Sequence, residues 1–229
     1  MPVLNTLPIS DALKVEITRS IEMHTFVLRN VPDSFTGDTD EKMLVGSYFS
    51  LILEHHGAIL HLFQTGQFDG SALALVRPLI DAAYRAHWVY SSASPENITK
   101  LRNGEKCDPG LINMAEAVER NVDAGGFFLT ITPYINALHG YTHGGLEQLG
   151  RRFDPGGDIR PTYSDGEKTE AIRATTAHLI ALAIAWCQIA SGDNSADNPD
   201  AVAISEEYRK LYPIAYRLAS GNDVSESSH

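Results

Sequence analysis

Ser71–Tyr90, SALALVRPLIDAAYRAHWVY, is the stretch whose reading decides the fold. Leu73, Leu75, Val76, Leu79, Ile80, Trp88 and Val89 fall on nearly every side of a helix drawn through it. A helix that is apolar all round belongs in the middle of a fold. Arg77, Asp81 and Arg85 interrupt that surface at i, i+4 and i+8, which stacks them on one face. Charges on a buried helix are costly unless paired. The stretch therefore predicts a buried central helix with a polar stripe that something must face. Pro78 should kink it and free the carbonyl of Ala74 as an acceptor near Arg77.

Upstream, residues 9–30 carry Leu13, Ile17, Ile21 and Leu28 at helical spacing. Residues 31–37 hold Pro and Gly and read as a loop. Thr39 or Asp38 caps the next helix, with Asp40 and Glu41 in its first turn. That helix runs to about Thr65, Gly66 ends it, and residues 67–70 link it to the central stretch. Downstream, Ser94-Pro95-Glu96 opens a short helix to about Asn103. Asp108-Pro109 repeats the device and opens residues 110–122, with Leu111, Met114, Ala115 and Val118 inward. Gly125-Gly126 is a break, Thr132-Pro133 starts a helix through His139 toward His143, and Gly144-Gly145 stops it.

Residues 151–162, RRFDPGGDIRPT, form the clearest loop. Ser164 and Glu167 fit a capping box ahead of an apolar helix to about Ala190. Residues 191–198 are a polar loop, and Asn198-Pro199 opens a last helix that Pro213 bends. No internal repeat and no strand pair is legible. The fold class is all-α: one bundle of about seven or eight helices over residues 1–220, with the helix at about 71–90 buried and a frayed polar tail over 221–229.

Composition narrows the function classes. The two cysteines, Cys107 and Cys187, form no CxxC pair, which excludes a zinc ribbon and a disulfide framework and suits a reducing compartment. The opening MPVLNTLPISDALK lacks a basic segment followed by an apolar run, so no signal peptide is read. The apolar run 178–190 is too short and too polar at its ends to span a bilayer. A cytoplasmic protein with no membrane partner is expected. A formal net charge of −11 argues against a broad nucleic-acid surface, leaving RNA only a local patch such as Arg151–Arg152.

Four groups of residues could carry chemistry. Arg77, Asp81 and Arg85 read either as an ion-pair ladder that sets helix register or as an anion site, since arginine offers a planar fork to carboxylate or phosphate. His139 and His143, in His-Gly-Tyr-Thr-His, share a helical face at a spacing that metal-binding helices use. No Glu follows the first histidine, so a switching histidine in a polar pocket, beside Thr142 and Arg151, is the preferred account, with no metal and no cofactor assigned. Glu54, His55 and His56 sit together, with His61 seven residues after Glu54; either this is a half-buried helix edge, or Glu54 or His55 faces the central arginines. Finally, Arg173–His178 and Arg19–His24 both have the form R-x4-H.

EHHGAILHL, SALALVRPLIDAAYRAHW and YTHGGLEQLGRR together resemble a family of uncharacterised bacterial helical proteins, over about residues 50–152 and extending to the C-terminal helix. More distantly the chain is similar to the HEPN helical bundles, many of them ribonucleases of toxin–antitoxin and phage-defence systems with an R-x4-6-H motif at a dimer interface. That resemblance implies a homodimer, a cognate antitoxin or other protein partner, and Arg173–His178 as the better-placed motif.

Two function classes follow. One is a metal-independent ribonuclease. His143 or His178 would move a proton, and Arg77, Arg85 or Arg173 would stabilise phosphate charge, with Asp81 completing the set. The other is a non-catalytic helical module that binds an anionic small ligand or a partner protein. In both, Arg77, Asp81 and Arg85 are expected to line a pocket with His143, approached by Glu54 or His55.

Overall fold

A computed structural model describes residues 9–32, 38–107, 109–122, 124–143, 145–153, 156, 162–192, 195 and 197–213. Among these every helix or strand element is helical: nine α-helices and one 3-10 segment. They are α1 (Asp11–Asn30), α2 (Asp40–Thr65), α3 (Asp69–Ser91), α4 (Pro95–Arg102), α5 (Leu111–Val122), the 3-10 segment (Phe127–Tyr134), α6 (Ile135–Thr142), α7 (Leu146–Gly150), α8 (Asp165–Ser191) and α9 (Pro199–Leu211). The all-α reading holds, with one or two more helices than expected because residues 135–150 break into two short ones.

Local chemistry sets most boundaries. Ser10, Thr39, Ser94, Ser164 and Asn198 each accept a hydrogen bond from a backbone N–H of the first turn they precede. Ser164 and Glu167 form the full capping box. Gly66 and Gly192 end α2 and α8 in the left-handed conformation. Gly110 adopts φ +82°, so α5 begins at Leu111 rather than Gly110. α9 stops at Leu211, short of the bend expected at Pro213; the residue before a proline is pushed out of the helical region, and Tyr212 caps the helix at φ −126° and ψ 59°. The expected cap at Asp108 and the tail over 221–229 lie outside the described residues.

The three-residue link after α2 folds α3 back along it, and α3 also packs on α5, α6 and α8. Leu73, Val76, Leu79, Ile80, Tyr84, Trp88 and Val89 are buried, so the central position predicted for this helix is correct. Its charges are less buried than predicted: the side chains of Arg77 and Asp81 retain 16% and 34% exposure. α8 is the second core helix, packed against α1, α2, α3 and α9. By length and composition it could cross a membrane, which the shorter run 178–190 did not suggest, but Ile172, Leu179, Leu182 and Trp186 face the protein interior. On α1 the inward stripe is Leu13, Glu16, Ile17, Ser20, Met23 and Val27, and Leu28, expected inward, is half exposed.

Candidate functional site

α3, α6, α7 and α8 line a cavity of about 850 Å³ that is open to solvent on one side. Its walls are apolar: Leu73, Val76 and Ile80 from α3, Ala137, Leu138 and Tyr141 from α6, Leu146 from α7, and Ala171 and Ala174 from α8. Charge is confined to Arg151, Glu167, Glu170 and Arg173. These charges are largely matched already. Arg151 is ion-paired to Glu167, and Arg173 donates to buried Glu16 at 2.9 Å. Helix periodicity explains which residues line the cavity. Leu73, Val76 and Ile80 recur at i, i+3 and i+7 and share one face of α3, and Glu167, Glu170, Ala171 and Ala174 do the same on α8.

The polar stripe of α3 lies beside this face and does not line the cavity. Arg77 Nε donates to Asp81 Oδ1 at 2.8 Å, and a terminal nitrogen of Arg77 donates to the carbonyl of Ile135 at 3.2 Å. The stripe thus ties α3 to the start of α6. Arg85 is half-buried and also outside the cavity lining. The carbonyl of Ala74, which Pro78 deprives of its helical donor, receives a long hydrogen bond from Thr142 Oγ1 at 3.5 Å. Freed by the proline, this carbonyl is used by α6 rather than by Arg77.

His143 is exposed at the end of α6, its ring 4.3 Å from that of His139, and neither lines the cavity. Glu54 and His61 are exposed and His55 is half-exposed, all on α2. Among the described hydrogen bonds and ion pairs, Arg77 joins Asp81 and the Ile135 carbonyl and none joins it to His143, Glu54 or His55, so the expected constellation is not seen as a bonded cluster. Of the predicted residues, only Arg151 and Arg173 line the cavity.

Arg173 and His178 do not converge either. Five residues along an α-helix turn about 140° in net rotation, so Arg173 reaches α1 while His178 enters the core. There His178 is 3% exposed, its ring 5.3 Å from Tyr84 and 5.0 Å from Phe127. Burial pushes its pKa down to about 4. His87 on α3 packs 4.8 Å from Phe128, and burial, with His178 nearby, lowers it to about 3.

A second histidine pair went unrecognised in the sequence. His24 and His56 bring their Nδ1 atoms to 3.0 Å, and His56 Nε2 lies 3.1 Å from Thr176 Oγ1 and 3.3 Å from Ser20 Oγ. Burial, then the neighbouring His24, holds His56 down at about 3. The signal was present: His56 follows Ile52 and Leu53 by four and three residues and precedes Ile59 and Leu60 by three and four, so it lies on the core face of α2. Lys168 was missed in the same way. Its Nζ sits 2.6 Å from Asp69 Oδ2 and 3.6 Å from Asp165 Oδ1, with side chains 7%, 11% and 38% exposed. Among the described residues no three or more His, Cys, Asp or Glu side chains gather to hold a metal ion. Cys107 and Cys187 are both free thiols.

The chain belongs to DUF6988, a family of unknown function, whose model matches residues 49–214. The match covers most of α2 and all of α3 to α9. No curated protein and no solved structure matches the chain.

Proposed function

We propose that this protein is a ligand-binding helical module whose cavity takes a small, mainly apolar molecule with one hydrogen-bonding head group. The observation that carries this is the cavity of about 850 Å³ with apolar walls and charge only at its rim. Ligand sites are typically about 300–1,000 Å³, apolar, with a few placed polar groups. The rim refines the ligand. Arg151 and Arg173 are already paired with Glu167 and Glu16, and Glu170 adds a further negative charge. A head group that both donates and accepts, such as a hydroxyl or an amide, suits this balance. An anionic head would have to take Arg151 from Glu167.

The ribonuclease alternative draws its support from the distant resemblance and the R-x4-H spacing. It receives less from the geometry, since Arg173 and His178 diverge and His178 is enclosed by aromatic rings. One preparation tests both. Nile red, a neutral apolar dye, should bind at tens of micromolar or tighter, an order-of-magnitude range for modest affinity. Ala174→Trp, which fills the cavity from α8, should abolish binding with the helical circular dichroism unchanged. Binding that survives this substitution refutes the cavity reading. Loss of single-stranded RNA in EDTA, removed by Arg173→Ala, would replace it with the ribonuclease.

A further inference from the structure

We propose that the 3-10 segment and α6, residues 127–142, form a strap that closes one wall of the cavity, and that Arg77, positioned by Asp81, is its latch. The proposal rests on the ligand-binding reading of the cavity and adds which of its walls moves. Tyr134, Ala137, Leu138 and Tyr141 of this strap line the cavity, while Leu129, Tyr134 and His139 are exposed on it. The strap is thus one layer thick over residues 134–141, forming one wall of a cavity that is open to solvent elsewhere, where Leu146 is 80% exposed.

The strap begins at Gly125 and Gly126, with φ +63° and +88°. A Cβ built at either would meet nothing within 4 Å, so space does not require glycine there; the left-handed backbone does. Its first half is 3-10 helix, whose hydrogen-bond geometry is poorer than that of an α-helix and which often marks a hinge.

Among the described residues, side-chain hydrogen bonds tie the strap down at its two ends and near its middle; at the far end Gln148 Nε2 donates to the carbonyl of Tyr141 at 2.8 Å and Tyr141 Oη to Glu167 Oε1 at 3.4 Å. Glu119 Oε1 and Oε2 accept from the backbone N–H of Gly126 at 2.5 Å and of Phe128 at 3.0 Å, which pins the hinge. Tyr84 Oη donates to the carbonyl of Phe128 at 2.5 Å. Further along, Arg77 donates to the carbonyl of Ile135, and Thr142 reaches Ala74 only at 3.5 Å. Arg77 therefore supplies the charged hydrogen bond at the middle of the strap, and its bond to Asp81 aims it there. This gives the polar stripe of the central helix a role that its distance from the cavity left open.

Hydrogen exchange followed by mass spectrometry tests the latch on the protein alone. Arg77→Met and, separately, Asp81→Asn should speed exchange across residues 127–142 by about tenfold or more, the order that a hydrogen bond from a charged donor confers. Peptides of α2 and α8 should keep their protection. Nile red should also associate faster with both variants. Unchanged exchange in the strap, or equal acceleration throughout the molecule, overturns the proposal. Should Arg77→Met fail to fold, Asp81→Asn and Arg77→Lys decide, because Lys retains the charge and loses the fork. Exchange needs no dye, so a cavity that binds nothing leaves this result standing, and an immobile strap leaves the binding result standing.

Discussion

Lys168→Met should be the most damaging single substitution of a charged side chain in this protein. Lys168 crosses from the first turn of α8 to the first residue of α3, and its Nζ meets Asp69 Oδ2 at 2.6 Å with both side chains almost out of water. Asp69 Oδ1 already has no hydrogen-bond partner among the described residues. Methionine keeps the length and the apolar stem but leaves both oxygens of a buried carboxylate uncompensated. Breaking a buried pair in this way costs about 3–5 kcal/mol. Asp69→Asn should cost less. It leaves Lys168 with Asp165 at 3.6 Å, and it removes a negative charge from a helix N-terminus, worth about 0.3–1 kcal/mol. The double variant should recover part of the loss, because no lone charge remains buried. The assay is urea unfolding of the four proteins followed by far-ultraviolet circular dichroism, at a pH where both groups are ionised. The reasoning fails if Lys168→Met costs under about 1 kcal/mol, the level of an exposed pair, or if Asp69→Asn proves the costlier change.

Acid should destabilise the protein earlier than carboxylate protonation alone would. His56, His87 and His178 have folded-state pKa values lowered from 6.5 to about 3, 3 and 4, so the unfolded chain binds more protons than the folded one below pH 6.5. Their contribution is complete above that pH and is lost progressively as pH falls toward 4 for His178 and toward 3 for His56 and His87, each histidine steepening the slope by up to about 1.4 kcal/mol per pH unit. A free energy of unfolding that stays level between pH 7.5 and 5 refutes this, and His178→Phe should flatten the slope by about one proton. The homodimer implied by the distant resemblance is decided by light scattering: a mass of twice 25.0 kDa supports it, and 25.0 kDa removes it.

The caps at Thr39, Ser94, Ser164 and Asn198, the stop at Gly66 and the burial of residues 71–90 were all legible in the sequence. Each is satisfied within a few residues of itself or follows from the period of the helix. Hence the all-α class needed no structure. The burial of His56 and Lys168 was also present, in their spacing to Ile52, Leu53, Ile59 and Leu60 and to Ala171 and Ile172. Their partners were not, since Ser20, His24 and Thr176, or Asp69, come from other helices, up to 156 residues apart in the His56 network. Arg77, Asp81 and Arg85 show the limit most clearly. Their spacing placed them on one face, but whether that face met the cavity or lay beside it depended on how far α3 is rotated against α6 and α8. That rotation is set by packing among apolar side chains from several helices, a non-directional force that a single helix's pattern does not encode. The tertiary structure alone decided that the stripe ties down α6 and that the cavity opens on the neighbouring apolar face.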